Sequence, residues 1–65
     1  MPSLTPEEER WGEALMVHRV HGDAAREHVM ERIIALTVDR DEAGVARWHE
    51  IGDRVEKLLR PGSVQ

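Results

Sequence analysis

Apolar and polar positions along this chain repeat with a helical period. The cleanest stretch is Val45, Trp48, Gly52, Val55 and Leu59, widened by Ile51 and Leu58. Steps of three and four residues place these positions on one face of an α-helix. The opposite face carries Glu50–Arg54, Asp53–Lys57 and Glu56–Arg60. These are acid-before-base pairs four residues apart, each contributing about 0.2–0.5 kcal/mol on an exposed helix, so this face is expected in water. Upstream, Ala25, Val29, Ile33 and Leu36, joined by Met30 and Ile34, cover half a helix. So wide a face needs two neighbours, which predicts that this second helix is the central one. The first helix presents Trp11, Ala14, Leu15 and His18, with Val17 at the margin, while Met16 and Val20 point away.

Helix boundaries follow from the residues between these stripes. Thr5-Pro6-Glu7-Glu8 reads as a capping box with proline at the first helical position, and Glu7, Glu8 and Glu9 place negative charge at the positive end of the helix dipole. Gly22 stops this helix. Asp23 is the expected cap of the second helix and Asp41, after the break Asp39-Arg40-Asp41, of the third; Pro61-Gly62 closes the third. The links are two to four residues long, which makes sequential neighbours antiparallel. The expected fold is therefore all-α: a single domain over 1–65, built as a compact antiparallel three-helix bundle. Its helices run over about 6–21, 24–38 and 42–60, with short flexible ends at 1–4 and 61–65. Gly12, Gly44 and Gly52 lie inside helices; at Gly52, which interrupts the apolar stripe, close helix packing with Trp11 over it is expected in preference to a groove for a partner side chain.

Composition narrows the function. A chain of 65 residues buries only about 60% of its unfolded surface, so self-association is a natural source of extra stability. There is no cysteine, hence no disulfide and no thiolate chemistry. Trp11 and Trp48 are the only aromatic residues, leaving Val, Ile, Leu and Met to build the core. The net charge of −4 disfavours nucleic acid, whose binding draws on Lys and Arg at phosphates. No apolar run approaches the roughly 20 residues that span a bilayer, and Met1-Pro2-Ser3-Leu4 does not start like a signal peptide. A cytoplasmic location is expected, with no membrane partner.

Candidate chemistry is sparse. His18, His21 and His28, with Asp23 between them, could be gathered into a zinc or nickel site. The spacing lacks the tighter pairing of zinc motifs, and packing or surface roles explain these residues as well, so no metal and no cofactor are assigned. Glu7, Glu8, Glu9 and Glu13 form an acidic patch, but paired acids need a pocket to separate their pKa values, and a bundle this small leaves little room for one. Ser3, Thr5, Thr37 and Ser63 have neither a glycine-flanked elbow nor a local base. No catalytic residue is assigned, and the chain is read as non-enzymatic.

Two surfaces remain. Met16 and Val20 on helix one, with Ile34 and Val38 on helix two, exceed what one small bundle covers; they are the expected interface for a protein partner or a second copy. The alternative is a helix-turn-helix-like, DNA-associated regulator in which helix three offers Arg47, His49 and Arg54, alongside Glu50, to a groove. Helix three is formally neutral, and its leading end carries Asp41 and Glu42, which works against that reading.

The pattern Trp11-x-x-Ala14-Leu15, Gly22-Asp23-Ala24, Glu31-Arg32-Ile33-x-Ala35-Leu36 and Asp41-Glu42-Ala43-Gly44-Val45-x-x-Trp48-x-x-Ile51 resembles a family of short, uncharacterised bacterial helical proteins. The resemblance covers about residues 5–59. That family carries only a domain-of-unknown-function label, so the resemblance implies a helical fold and supplies no active-site residues.

Overall fold

The computed structural model describes residues 3–60. Three α-helical segments make up the described chain: α1 (Pro6–His21), α2 (Ala25–Val38) and α3 (Glu42–Leu59). The expected flexibility of 1–2 and 61–65, and the expected stop at Pro61-Gly62, lie outside the described residues.

The capping box forms as the sequence predicts. The Glu8 amide donates to Thr5 Oγ1 at 3.1 Å, and the Thr5 amide donates to Glu8 Oε1 at 2.8 Å. Gly22 ends α1 at φ +54°, where a side chain would be strained, and its amide donates back to the His18 carbonyl. The cap on α3 is also as expected: Asp41 Oδ1 accepts from the Gly44 amide at 2.9 Å. Asp23 is a correction. It lies in a 3-10 turn over Gly22–Ala24 that carries α1 almost directly into α2, and Ala24 stands at the start of α2 with no side-chain cap. Asp23 stands inside this turn instead of directly ahead of α2, so Ala24 and not Asp23 occupies the capping position.

Between α2 and α3 the Asp41 amide donates to the Leu36 carbonyl at 2.9 Å and the Arg40 amide to the Thr37 carbonyl at 3.0 Å. This is a Schellman closure. The residue that must turn left-handed in it is Arg40, at φ +60°.

The all-α class holds, but the packing is hairpin-like rather than an up-and-down bundle of three separately connected rods. The 3-10 turn makes α1 and α2 one bent unit, and these two helices touch little beyond their junction. α3 folds back on both, so α3 and not α2 is the central helix. The molecule measures 37 × 34 × 20 Å; its short dimension is two helix diameters. α2 therefore covers only one neighbour along its length, and part of its wide apolar face is left in solvent.

The core lies on the seam of α3. Ala14, Val17, Ala25, Val29, Ile51 and Val55 are buried, with Ile33, Trp48, Leu58 and Leu59 packed around them. Among the described residues, only Ile51 and Val55 are large side chains that are fully buried. Two expectations for helix one reverse: Val17 is buried rather than marginal, and Leu15 is 52% exposed. The face α1 turns to α3 mixes Ala14 and Val17 with Glu7, Arg10 and Glu13, so a stripe drawn through Leu15 misplaces it. Gly52 does permit close packing, but the neighbour is Val29, whose Cγ1 is 3.0 Å from where a Gly52 β-carbon would stand, rather than Trp11.

Candidate functional site

Charged residues join the helices in register. On the α1–α3 seam, Glu7 pairs with Arg54 at 2.8 Å, Arg10 with Glu50 at 2.8 Å, and Glu13 with Arg47. On the α2–α3 seam, Arg26 pairs with Glu56. On the α1–α3 seam, α3 residue numbers fall as those of α1 rise, so α3 runs in the opposite sense to α1. Glu50 and Glu56, expected to serve the solvent face of helix three, instead hold it to its neighbours. Arg54 is nearly enclosed: its Nη1 donates to the Glu50 carbonyl at 2.9 Å, its Nη2 to Glu7 Oε1 at 2.8 Å, and its guanidinium lies 5.7 Å from the Trp11 ring centre. The indole N–H of Trp11 donates to the other Glu7 oxygen at 2.8 Å.

These contacts shift the acids. The hydrogen bond from Arg54, helped by that from Trp11, lowers the Glu7 pKa below its ordinary 4.5. The hydrogen bond from Arg26 does the same for Glu56. Glu7 and Glu13 of the acidic patch therefore clamp α1 to α3.

The residues of the DNA alternative are thereby divided. Arg47 and Arg54 are engaged with Glu13 and Glu7. His49 stands exposed on another part of α3, where it lines two open grooves. One groove, of about 550 Å³, runs past Thr37, Arg40, Asp41, Val45 and Ala46. The other, of about 250 Å³, passes Val29, Met30, Ile33 and Gly52. Both grooves are open furrows along the α2–α3 hairpin. Of the carboxylates in the larger one, Asp41 is already engaged by the α3 cap.

The histidines are partly gathered. His21 and His28 face each other across the α1–α2 bend with ring centres 3.9 Å apart and planes at 16°. His28 meets Trp48 nearly edge-on at 5.6 Å, and Arg32 lies over the same indole at 5.7 Å. Among the described residues no group of three or more His, Asp or Glu side chains is arranged to hold a metal ion. This ring cluster is not legible in the sequence, because it depends on the angle of the bend.

The four residues of the expected interface are all exposed: Met16 at 57%, Val20 at 65%, Ile34 at 57% and Val38 at 76%. Leu4, Leu15 and Met30 join them. Periodicity places Leu15 and Met30 in core stripes; the turn that keeps α1 and α2 apart leaves both uncovered. Met16 lines a furrow on α1 with Leu4, Gly12 and Arg47. Met30 lies between the α2–α3 groove and a neighbouring furrow edged by Arg26, Glu27 and Glu31.

A family model, described as a family of unknown function (DUF6961), matches residues 6–62. The chain belongs to this family. The match takes in all three helices, from the first residue of α1 to beyond the last of α3. No curated protein and no solved structure matches the chain. No helix among the described residues is long and apolar enough to cross a membrane.

Proposed function

We propose that this family member is a non-enzymatic interaction module, a small bundle of three helical segments that works in the cytoplasm by binding a protein partner or a second copy of itself. The observation that carries the reading is the imbalance of its apolar side chains. Among the described residues, seven large ones are more than half exposed, while two large ones are fully buried. Exposed apolar surface of this kind is stabilised when a partner covers it. The surfaces we assign are Met16 with Val20 on α1 and Ile34 with Val38 on α2.

Sedimentation equilibrium and co-purification from the native cell test this. Wild type should associate with itself or retain a partner, and Met16→Glu/Val20→Glu or Ile34→Glu/Val38→Glu should abolish that while the helical spectrum is kept. A wild type that stays monomeric at high concentration and loses no partner on either double substitution overturns the reading. The DNA-associated alternative requires Arg47 and Arg54 to leave Glu13 and Glu7. A low-salt titration in which Arg47→Ala and Arg54→Ala weaken DNA binding would reverse our choice.

A further inference from the structure

The ring cluster at the α1–α2 bend is independent of the exposed apolar faces. Its two imidazoles belong to different helices: His21 is the last residue of α1 and His28 lies one turn into α2. Between them the chain turns through Gly22, whose left-handed backbone makes the bend, and few other contacts join α1 to α2. The stack is one side-chain link across the junction, beside the shared core of Ala14, Val17, Ala25 and Val29.

The groups around His28 can be named. From α1 the facing titratable group is His21; on α2 itself Glu31 favours the charged form and Arg32 opposes it. From α3 the facing group is the uncharged ring of Trp48, with the Arg32 guanidinium over it. In the turn, Asp23 is exposed. At 3.9 Å and 16° the two rings lie nearly face to face in van der Waals contact, which neutral rings tolerate. Two imidazolium rings at that spacing repel, and the second cation would also stand beside Arg32.

We propose that the His21–His28 stack is a proton-sensitive latch on the α1–α2 bend, closed when the rings are neutral and opened by protonation in mildly acidic solution. Opening carries His28 away from Trp48 and uncovers that indole at the edge of the core. The partial burial of His28, with the adjacent His21 adding to it, holds its pKa below the ordinary 6.5. The unfolded chain therefore takes up the proton first. The contribution of His28 to stability is complete above pH 6.5 and is lost as pH falls through that value toward the folded-state pKa.

The test is an NMR titration of the wild-type protein from pH 7.5 to 5, following the histidine ring protons and the Trp48 indole proton. The latch predicts that the Trp48 signal moves together with the His28 ring and that contacts between the His21 and His28 rings disappear at the acid end. In His21→Gln the His28 midpoint should rise, and the acid-induced Trp48 shift should shrink to the part produced by the His28 charge alone. Persistence of the ring contacts at pH 5, or an unchanged Trp48 shift in a folded His21→Gln variant, overturns the proposal. The wild-type titration decides the matter alone if the variant does not fold.

Discussion

Val29 closes the space above Gly52. Its Cγ1 stands 3.0 Å from the position a β-carbon there would take, and this contact sets how near α2 lies to α3. Alanine at 52 would gain up to about 1 kcal/mol of helix propensity. It would also force Val29 outward, and overpacking typically costs about 1–3 kcal/mol. Gly52→Ala should therefore lower stability modestly, and Gly52→Leu should prevent α2 from docking. Urea unfolding followed by circular dichroism measures both; a Gly52→Leu variant as stable as wild type would show that the contact is not a packing constraint.

Gly12 is the opposite case. It lies on an exposed part of α1, and nothing comes within 4 Å of where its β-carbon would stand. Gly12→Ala should raise stability by about 1 kcal/mol, the helix-propensity difference alone. The same unfolding experiment provides the number, and a loss of stability would mean that the α1 surface around Gly12 is covered in solution.

Arg40 is held left-handed at φ +60° to close the turn between α2 and α3. Such a conformation costs a non-glycine residue roughly 1–2 kcal/mol. Glycine removes that cost but loses about 0.4–1 kcal/mol through the greater freedom of its unfolded chain. Arg40→Gly should stabilise by up to about 1 kcal/mol, and Arg40→Val should destabilise. Thermal unfolding checks the order of the three proteins.

The clamp acids predict an acid limb. Glu7 and Glu56 have folded-state pKa values below 4.5, so the unfolded chain binds protons before the folded one. Their contribution is present above pH 4.5 and is lost as pH falls through the folded values. Both are surface pairs, so added salt should weaken the same contribution. In Glu7→Gln/Glu56→Gln the decline of melting temperature below pH 4.5 should flatten, and so should its dependence on salt. Melting curves across pH and salt check both.

The parts of the fold legible in the sequence are those fixed by neighbours along the chain. Thr5 with Glu8, and Asp41 with the Gly44 amide, are caps closed within three residues. The α3 stripe is a regular run with Ile51 and Val55 at its centre. What stays hidden depends on how elements meet. Asp23 reads as a cap because the sequence does not show that Ala24 and Ala25 continue the helical path. Leu15 and Met30 read as core because periodicity counts apolar residues without showing what covers them. Glu7 and Glu13 read as part of an acidic patch, yet both face the seam, where arginine stems pack along apolar surface while their charged ends pair across helices. For the candidate site, Met16, Val20, Ile34 and Val38 are visible as a surplus over the stripes. The His21–His28 stack needs a bend angle that no spacing encodes.

The most direct measurement of the interaction reading is photo-crosslinking in the native cell, with a photoreactive residue replacing Ile34, or Met16 in a second experiment, and exposed Lys57 on α3 as the control position. A discrete crosslinked species is predicted from Ile34 or Met16, at twice the chain mass or at the combined mass of the chain and one partner, with little from Lys57. No species above the control at either position would contradict it.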